Sequence, residues 1–557
     1  MIFCAPVKHC ALLQKENVRF TNLRQHFCTK QMPHVSVFII IIFRPIKIKL
    51  TFKNFASNIR IVSTYTNGGI KVKTLNKDMV EVTKRPIKVL QFGEGNFLRA
   101  FVDYMFDICN EKGLFDGSIV LAKPIEFGNL EQFGKQDNIY TVSLRGIQDG
   151  EAKVTNRIIT SIADTVDVYG DYEKYNNYAK LDTLRYIVSN TTEAGIVFDA
   201  NDKFEANPPK TFPGKLTKFL YTRYEAFNGD MTKGLVMLPV ELIDDNGIEL
   251  ERCVNEFITL WKLPEEFRTW VKEACNFCST LVDRIVTGYP RNNEEAIFNE
   301  LGYIDKLVVT AEPFALWVIE SKKDLTEELP FVKAGLPVIY TDNQKPYKQR
   351  KVRILNGAHT SFVLASYLAG NNIVRESMED KLIYDFMHET IFDEVIPTLT
   401  LPKQDLLDFA EAVIGRFNNP YVDHALLSIS LNSVSKWKAR CMPSFLEYVK
   451  LNGTNPKHLT FSLAALMAFY SSTRLEDKAL IGNRNGEEYK IMDDMEVLEF
   501  FRDYSDKDTK TFTKAFLSNE AFWGQDLSKV GNTEELVEGY LDDIRNLGMR
   551  KALEKNF

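Results

Sequence analysis

Lys351, Asn356 and His359 fall in one short segment, 349–360 (QRKVRILNGAHT). On a helix entered by a short turn, all three reach a single pocket. The set suits carbonyl reduction. A hydride arriving at a ketone carbon leaves a developing alkoxide, which needs a hydrogen-bond donor and a proton source. Lysine supplies both when burial lowers its pKa from ~10.4 toward ~7–8. Asparagine offers a neutral donor, and histidine orients the substrate or the lysine. The same stretch also reads as a basic segment, with Lys348, Arg350, Lys351 and Arg353 capping a core helix.

Such chemistry needs a hydride carrier, and an element upstream is built to hold one. The apolar run 86–92 (PIKVLQF) ends in Gly93-Glu94-Gly95, followed by Asn96 and Phe97. From Phe97 on, apolar residues recur at 97, 98, 101, 102, 105 and 106, which is helical spacing. Strand, glycine turn and helix together cradle a pyrophosphate on backbone N–H groups and a helix N-terminus. Leu98 stands where a third glycine is usual. Arg99 reads either as a phosphate contact or as a solvated helix residue. A second strand, 118–122 (SIVLA), ends at Lys123, where an acid often holds a ribose hydroxyl; Glu126 follows three residues on. These residues leave NAD and NADP both open.

Further strands are expected at 140–144, 184–189 and 235–242. The last two end in polar clusters, 190–195 (NTTEAG) and 243–247 (IDDNG). Such clusters suit ligand-facing loops or ordinary turns. Beyond them the chain is mostly helical, with amphipathic stretches at 361–368, 378–395, 406–416, 443–449, 459–470 and 534–547. The expected fold class is α/β: an N-terminal Rossmann-like dinucleotide-binding domain over 84–335, a mainly α-helical domain over 336–557, and the active site between them.

The 557 residues are 26% charged and 45% hydrophobic, which excludes collagen, coiled-coil rods and disulfide miniproteins. Net charge is −6, unevenly spread. Residues 1–73 hold twelve Lys/Arg and one acid, Glu16, so the remainder carries −17. An acidic body does not suit nucleic acid. The seven-residue run 37–43 (VFIIIIF) is too short to span a bilayer. Residues 1–83 lack a sustained period and are expected to be an extension outside the folded enzyme. Body cysteines Cys109, Cys253, Cys275, Cys278 and Cys441 include one lone CxxC, which reads as structural thiols in a reducing, cytoplasmic setting. No metal site is expected.

Six segments, in order, resemble the polyol-specific long-chain dehydrogenases, the mannitol dehydrogenase family. They are 93–101 (GEGNFLRAF), 192–195 (TEAG), 281–285 (LVDRI), 312–320 (EPFALWVIE), 351–360 (KVRILNGAHT) and 416–420 (RFNNP). Wording at 189–195, 239–247 and 431–438 resembles the branch acting on hexuronates. The resemblance implies NAD(H)-dependent, metal-free interconversion of a keto-hexuronate and its alcohol in hexuronate catabolism. Lys351 is then the general acid/base, with Asn356 and His359 orienting the substrate. Gly93, Gly95, Asn96, Phe97, Arg99, Thr192 and Glu193 hold the cofactor. A hexuronate carboxylate needs a cation, for which Lys436, Lys438 and Arg440 are candidates. One departure is Glu241-Leu242, where mannitol dehydrogenases carry Asp-Asn, so the second oxyanion donor is in question. Sister enzymes for another hexuronate or a neutral polyol are the alternatives, and a non-catalytic dinucleotide-binding regulator is a remote one.

Overall fold

The structure, a computed structural model, describes residues 73–148, 150–192 and 194–557, and the backbone of short strands at Thr51–Lys53, Arg60–Val62, Tyr65–Thr66 and Gly69–Ile70. Six strands form the central sheet of the first domain: Ile87–Phe92, Ser118–Lys123, Ile162–Asp167, Tyr186–Ser189, Val236–Pro239 and Asn276–Phe277. Every pairing is parallel. Numbered along the chain, the strands lie in the order 3-2-1-4-5-6. That is the doubly wound dinucleotide-binding topology, whose direction reverses between the first and fourth strands. Both sheet faces are covered. Leu98, Phe101 and Phe106 pack on one side, and Phe212, Leu216 and Trp270 on the other. Two-sided burial explains why the strands read as continuous apolar runs.

The strand expected at 140–144 exists but belongs elsewhere. Tyr140–Gln148 pairs antiparallel with Glu151–Ile159 in a separate four-stranded sheet. The third parallel strand is instead Ile162–Asp167 at the sheet edge, where Ala163 is exposed and Asp164 and Thr165 are half-buried. A half-wet edge strand has no apolar run to betray it.

A third small sheet carries the chain between domains. Ser279–Asp283 pairs with Leu316–Glu320, which pairs with Val338–Thr341. The helical run starts at Lys345. Of the stretch expected to be an extension, residues 73–83 are described, and part of them belongs to the body. Leu75 and Met79 are buried with Ile139, Ile297 and Phe298, and the Leu75 N–H donates to the Ile304 carbonyl at 2.8 Å. The expectation for residues 1–72 lies outside the described residues.

Helices at Gly357–Ala369, Lys403–Phe417, Lys457–Tyr470 and Thr533–Leu547 enclose one large core. A three-stranded antiparallel sheet, Leu475–Glu476, Ala479–Arg484 and Glu487–Ile491, interrupts them. Among the described residues, no helix is long and apolar enough to cross a membrane.

Candidate functional site

The glycine turn leaves the first strand at the point where the sheet reverses. Gly93 has φ +119, and a Cβ there would meet Leu98 Cδ1 at 3.0 Å and the Asn190 carbonyl oxygen at 3.3 Å. Leu98 thus fills the space beneath the turn, which accounts for the missing third glycine. Gly95 differs: a Cβ on it would meet nothing within 4 Å. Helical winding starts at Asn96 and runs to Glu111 through a wide π-turn at Arg99–Asp103. Exposed Gly95 and Asn96 and half-buried Phe97 therefore border open space at a helix N-terminus, the setting a pyrophosphate requires.

Arg99 is neither solvated nor directed at this space. Its guanidinium is buried, donates to the Leu307 carbonyl at 2.5 Å and to Asn96 Oδ1 at 2.6 Å, and lies over Tyr140. It holds Asn96 from behind. Lys123 is likewise internal. It donates to the carbonyls of Ile125, Glu126 and Phe127 and pairs with Asp167 at 3.1 Å.

Across the switch point, Thr192 adopts φ +82, a strained conformation for a β-branched residue. Thr191 beside it donates its N–H and hydroxyl to Glu241 Oε1, both at 2.9 Å, and Ser189 donates to Oε2 at 3.1 Å. Burial raises the Glu241 carboxyl pKa, opposed by these donors. Glu241 thus fastens the Thr191 loop. Leu242 beside it is 65% exposed in the cleft and brings no polar donor. Glu193 lies outside the described residues.

The helix carrying Lys351, Asn356 and His359 has a second wide turn. A helix at Lys345–Arg350 passes through a π-turn at Lys351–Asn356 into Gly357–Ala369. Such turns re-aim side chains and recur at functional sites. Lys351 and Asn356 both line a cleft of about 490 Å³ between the domains, with Glu241, Leu242, Thr280 and Val282 opposite. Lys351 Nζ donates to the Val282 carbonyl at 2.9 Å and lies 3.6 Å from Asp283. His359 is not among the residues lining this cleft. Its ring stacks on Phe417 at 4.3 Å and meets His424 edge-on at 5.5 Å. Its Nε2 is buried without a hydrogen-bond partner. Burial, reinforced by His424, Arg416, Arg440 and Lys436, holds its pKa well below the usual value, so the ring is neutral.

Sequence reasoning assigned no role to the ion cluster behind Lys351. Arg416 donates to both oxygens of Asp283 at 3.0 Å and to Glu312 Oε2 at 3.0 Å. All three side chains are buried. They come from the segments at 281–285, 312–320 and 416–420, so three matched segments converge on one cluster. Their shared membership in the family pattern was the signal available.

Of the three cations proposed for a carboxylate, two share a flank. Helix Ser433–Arg440 buries Val434 and Trp437. Lys436 and Arg440, one turn apart, act electrostatically on His359. Arg440 is half-buried, contacts Thr360 Oγ1 at 3.4 Å and makes no ion pair with an acid among the described residues. Lys436 donates to the Ile429 carbonyl at 2.9 Å. Lys438 leaves by the other flank, its Nζ near Gly524.

Two family models cover most of the chain: the mannitol dehydrogenase Rossmann domain at residues 87–333 and the mannitol dehydrogenase C-terminal domain at 343–545. An altronate oxidoreductase of Bacillus subtilis is 42% identical over 488 residues, covering 87% of this chain and 98% of its own. One from Escherichia coli O1:K1 is 43% identical, covering 86% and 99%. One from Bacteroides thetaiotaomicron is 41% identical, covering 87% and 99%. Among solved structures, Pseudomonas fluorescens mannitol 2-dehydrogenase in ternary complex with NAD and D-mannitol matches with TM-score 0.60 at 23% identity, covering 86% of this chain and 99% of that one. A substrate-free D-sorbitol dehydrogenase matches with TM-score 0.69 at 20% identity, covering 86% and 100%. These two share the fold.

Proposed function

The chain belongs to the mannitol dehydrogenase family, and on that ground we propose that it interconverts altronate and its keto counterpart, tagaturonate, using NAD(H). What carries the reading is likeness to altronate oxidoreductases along nearly their whole length, together with a lysine fixed in the cleft between the domains.

Bound NADH supplies the hydride. Gly93 shapes the turn, Gly95, Asn96 and Phe97 border the phosphate space, and Arg99 steadies Asn96. Lys351 donates the proton to the alkoxide during reduction and takes it back during oxidation. The Val282 carbonyl and Asp283 fix its position. Asn356, whose side chain makes no hydrogen bond among the described residues, gives its amide to the oxyanion. Neutral His359, stacked on Phe417 behind the cleft wall, steadies the helix that carries Asn356 and does not touch substrate. A partly desolvated guanidinium without an acid partner favours an anion, so Arg440, with Lys436, anchors the hexuronate carboxylate. The five body cysteines are free and buried, which supports the cytoplasm as the site of action.

Initial rates with tagaturonate, fructuronate and fructose, each with NADH and with NADPH, test the reading. Tagaturonate with NADH is expected to give the highest kcat/KM. A preference for fructuronate or fructose would assign the chain to a sister activity.

A further inference from the structure

Behind the glycine turn lies a chain of buried polar side chains that hydride and proton transfer do not use. Gln91, in the first parallel strand, is 0% exposed at the centre of the sheet, between Val188 and Leu121 of the neighbouring strands. Side chains alternate along a strand, so Gln91 shares with Val89 the face covered by the helix that follows the turn. There its amide meets the carboxyl of Asp103, which is also 0% exposed. Gln91 Nε2 donates to the Gly93 carbonyl at 3.2 Å. The Tyr140 hydroxyl donates to Asp103 Oδ2 at 2.6 Å. Two acceptors are left over: Gln91 Oε1 and Asp103 Oδ1 are both buried without a hydrogen-bond partner. Buried polar atoms are nearly always paired, and one proton on the carboxyl serves both.

Resting on the dinucleotide reading above, we propose that protonated Asp103 is a positioning residue for the cofactor turn: its O–H donates to Gln91 Oε1 and so keeps Gln91 Nε2 on the Gly93 carbonyl. Once ionised, the same carboxyl has no donor to offer and draws the amide N–H to itself, away from Gly93. The turn that faces the pyrophosphate then loses this tie, and cofactor affinity falls. The surroundings keep the proton within reach of ordinary pH. Burial is the largest influence on the carboxyl and pushes its pKa up to about 7. The Tyr140 hydroxyl, the Arg99 guanidinium and the Gln91 amide oppose burial, and Asp107, one turn along the helix, adds to it. The Arg99 charge is shared with Glu94 in the turn and with Asp305.

Fluorescence titration of the full chain with NADH between pH 6 and 8.5 tests this. Affinity is expected to fall at least fivefold as pH rises through that range. Asp103→Asn carries a permanent donor, since its Oδ1 accepts from Tyr140 and its Nδ2 donates to Gln91. It should match the unaltered chain within twofold at pH 6 and keep that affinity to pH 8.5. Gln91→Met has no donor for Gly93 and should bind NADH at least threefold more weakly at pH 6, with no further fall. Tyr140→Phe removes a donor that favours the carboxylate, so its fall should move to higher pH; this variant decides the matter if Asp103→Asn does not fold. The proposal is overturned if the unaltered chain binds NADH equally across the range, if Asp103→Asn keeps the fall, if Gln91→Met binds normally at pH 6, or if the fall in Tyr140→Phe stays where it was. Failure of NADH to bind at any pH would sink the dinucleotide reading with it, whereas tight binding that ignores pH would sink the proton link alone.

Discussion

At the scale of single residues, the acid–base role proposed for Lys351 makes the sharpest prediction. Removing the lysine leaves the hydride donor in place and strands the developing charge. General acid–base groups contribute ~10²–10⁴-fold, so Lys351→Ala is expected to lower turnover at least a hundredfold. NADH affinity, read by fluorescence titration, should stay within a few-fold, because the cofactor edge belongs to the other domain. Near-normal turnover would pass the role to another group. The cations near His359 differ among themselves. Arg440→Ala should raise KM for tagaturonate tenfold or more, about 1.4 kcal/mol, while Lys438→Ala, on the opposite flank of the helix, should leave it unchanged. An equal effect of both in steady-state kinetics would place the carboxylate elsewhere. The types of these residues were legible in the sequence; their directions were not. Arg99 read as a phosphate contact or a solvated residue and Lys123 as a residue at the ribose position, because the carbonyls they serve are invisible in a string of side chains, and the Leu307 carbonyl lies 208 residues from Arg99.

Elements were legible wherever burial imposed a pattern. The first two parallel strands and the amphipathic helices follow from apolar runs and helical spacing. The edge strand Ile162–Asp167 escaped because one side of it is wet. The hairpin at 479–491 escaped behind charged residues, although Asn485-Gly486, with φ of +54 and +94, is a turn signal that was there to be read. The two glycines of the nucleotide turn should separate by the same logic. Gly93→Val is expected to destabilise the fold, since it forces a β-branched residue to φ +119 against Leu98 and Asn190. Gly95→Val should keep the melting temperature and lose at least tenfold in NADH affinity. Normal NADH binding by Gly95→Val would move the phosphate site. The helix behind this turn also carries a pH-dependent element. Asp103 is fully buried, accepts from the Tyr140 hydroxyl at 2.6 Å, and burial pushes its pKa up to about 7. The unfolded chain loses this proton near pH 4 and the folded chain near 7. Stability from this group is therefore full at low pH and drains as pH rises through that window, by up to about 4 kcal/mol. Asp103→Asn should flatten the corresponding slope in denaturation midpoints between pH 5 and 7.5; an unchanged slope would assign it to other groups.

At the scale of the whole molecule, the two domains meet through a buried ion cluster as well as through the cleft. Arg416 comes from the helical domain, whereas Asp283 and Glu312 belong to the first. Asp283 is also 3.6 Å from Lys351 Nζ, so the joint between the domains also holds the proposed proton donor. Buried ion clusters add little net stability compared with apolar packing, yet removing one partner typically costs ~3–5 kcal/mol because an uncompensated charge remains. Arg416→Met leaves two buried carboxylates without their shared cation. Burial already raises the Glu312 carboxyl pKa, and the Arg416 charge is the first influence opposing it. Without Arg416 that carboxyl must take up a proton on folding. A carboxyl whose folded pKa lies above its unfolded value contributes stability at low pH that is lost as pH rises. Arg416→Met is therefore expected to be destabilised more at pH 8 than at pH 5, measured by urea midpoints against the unaltered chain. Turnover should fall at both pH values because Asp283 no longer holds Lys351 in place. The triple variant Arg416→Met/Asp283→Asn/Glu312→Gln removes all three charges and should regain much of the stability without regaining turnover. If Arg416→Met is equally destabilised at both pH values, the cluster does not carry its charge in the folded state; if the triple variant restores turnover, the link from this joint to Lys351 fails.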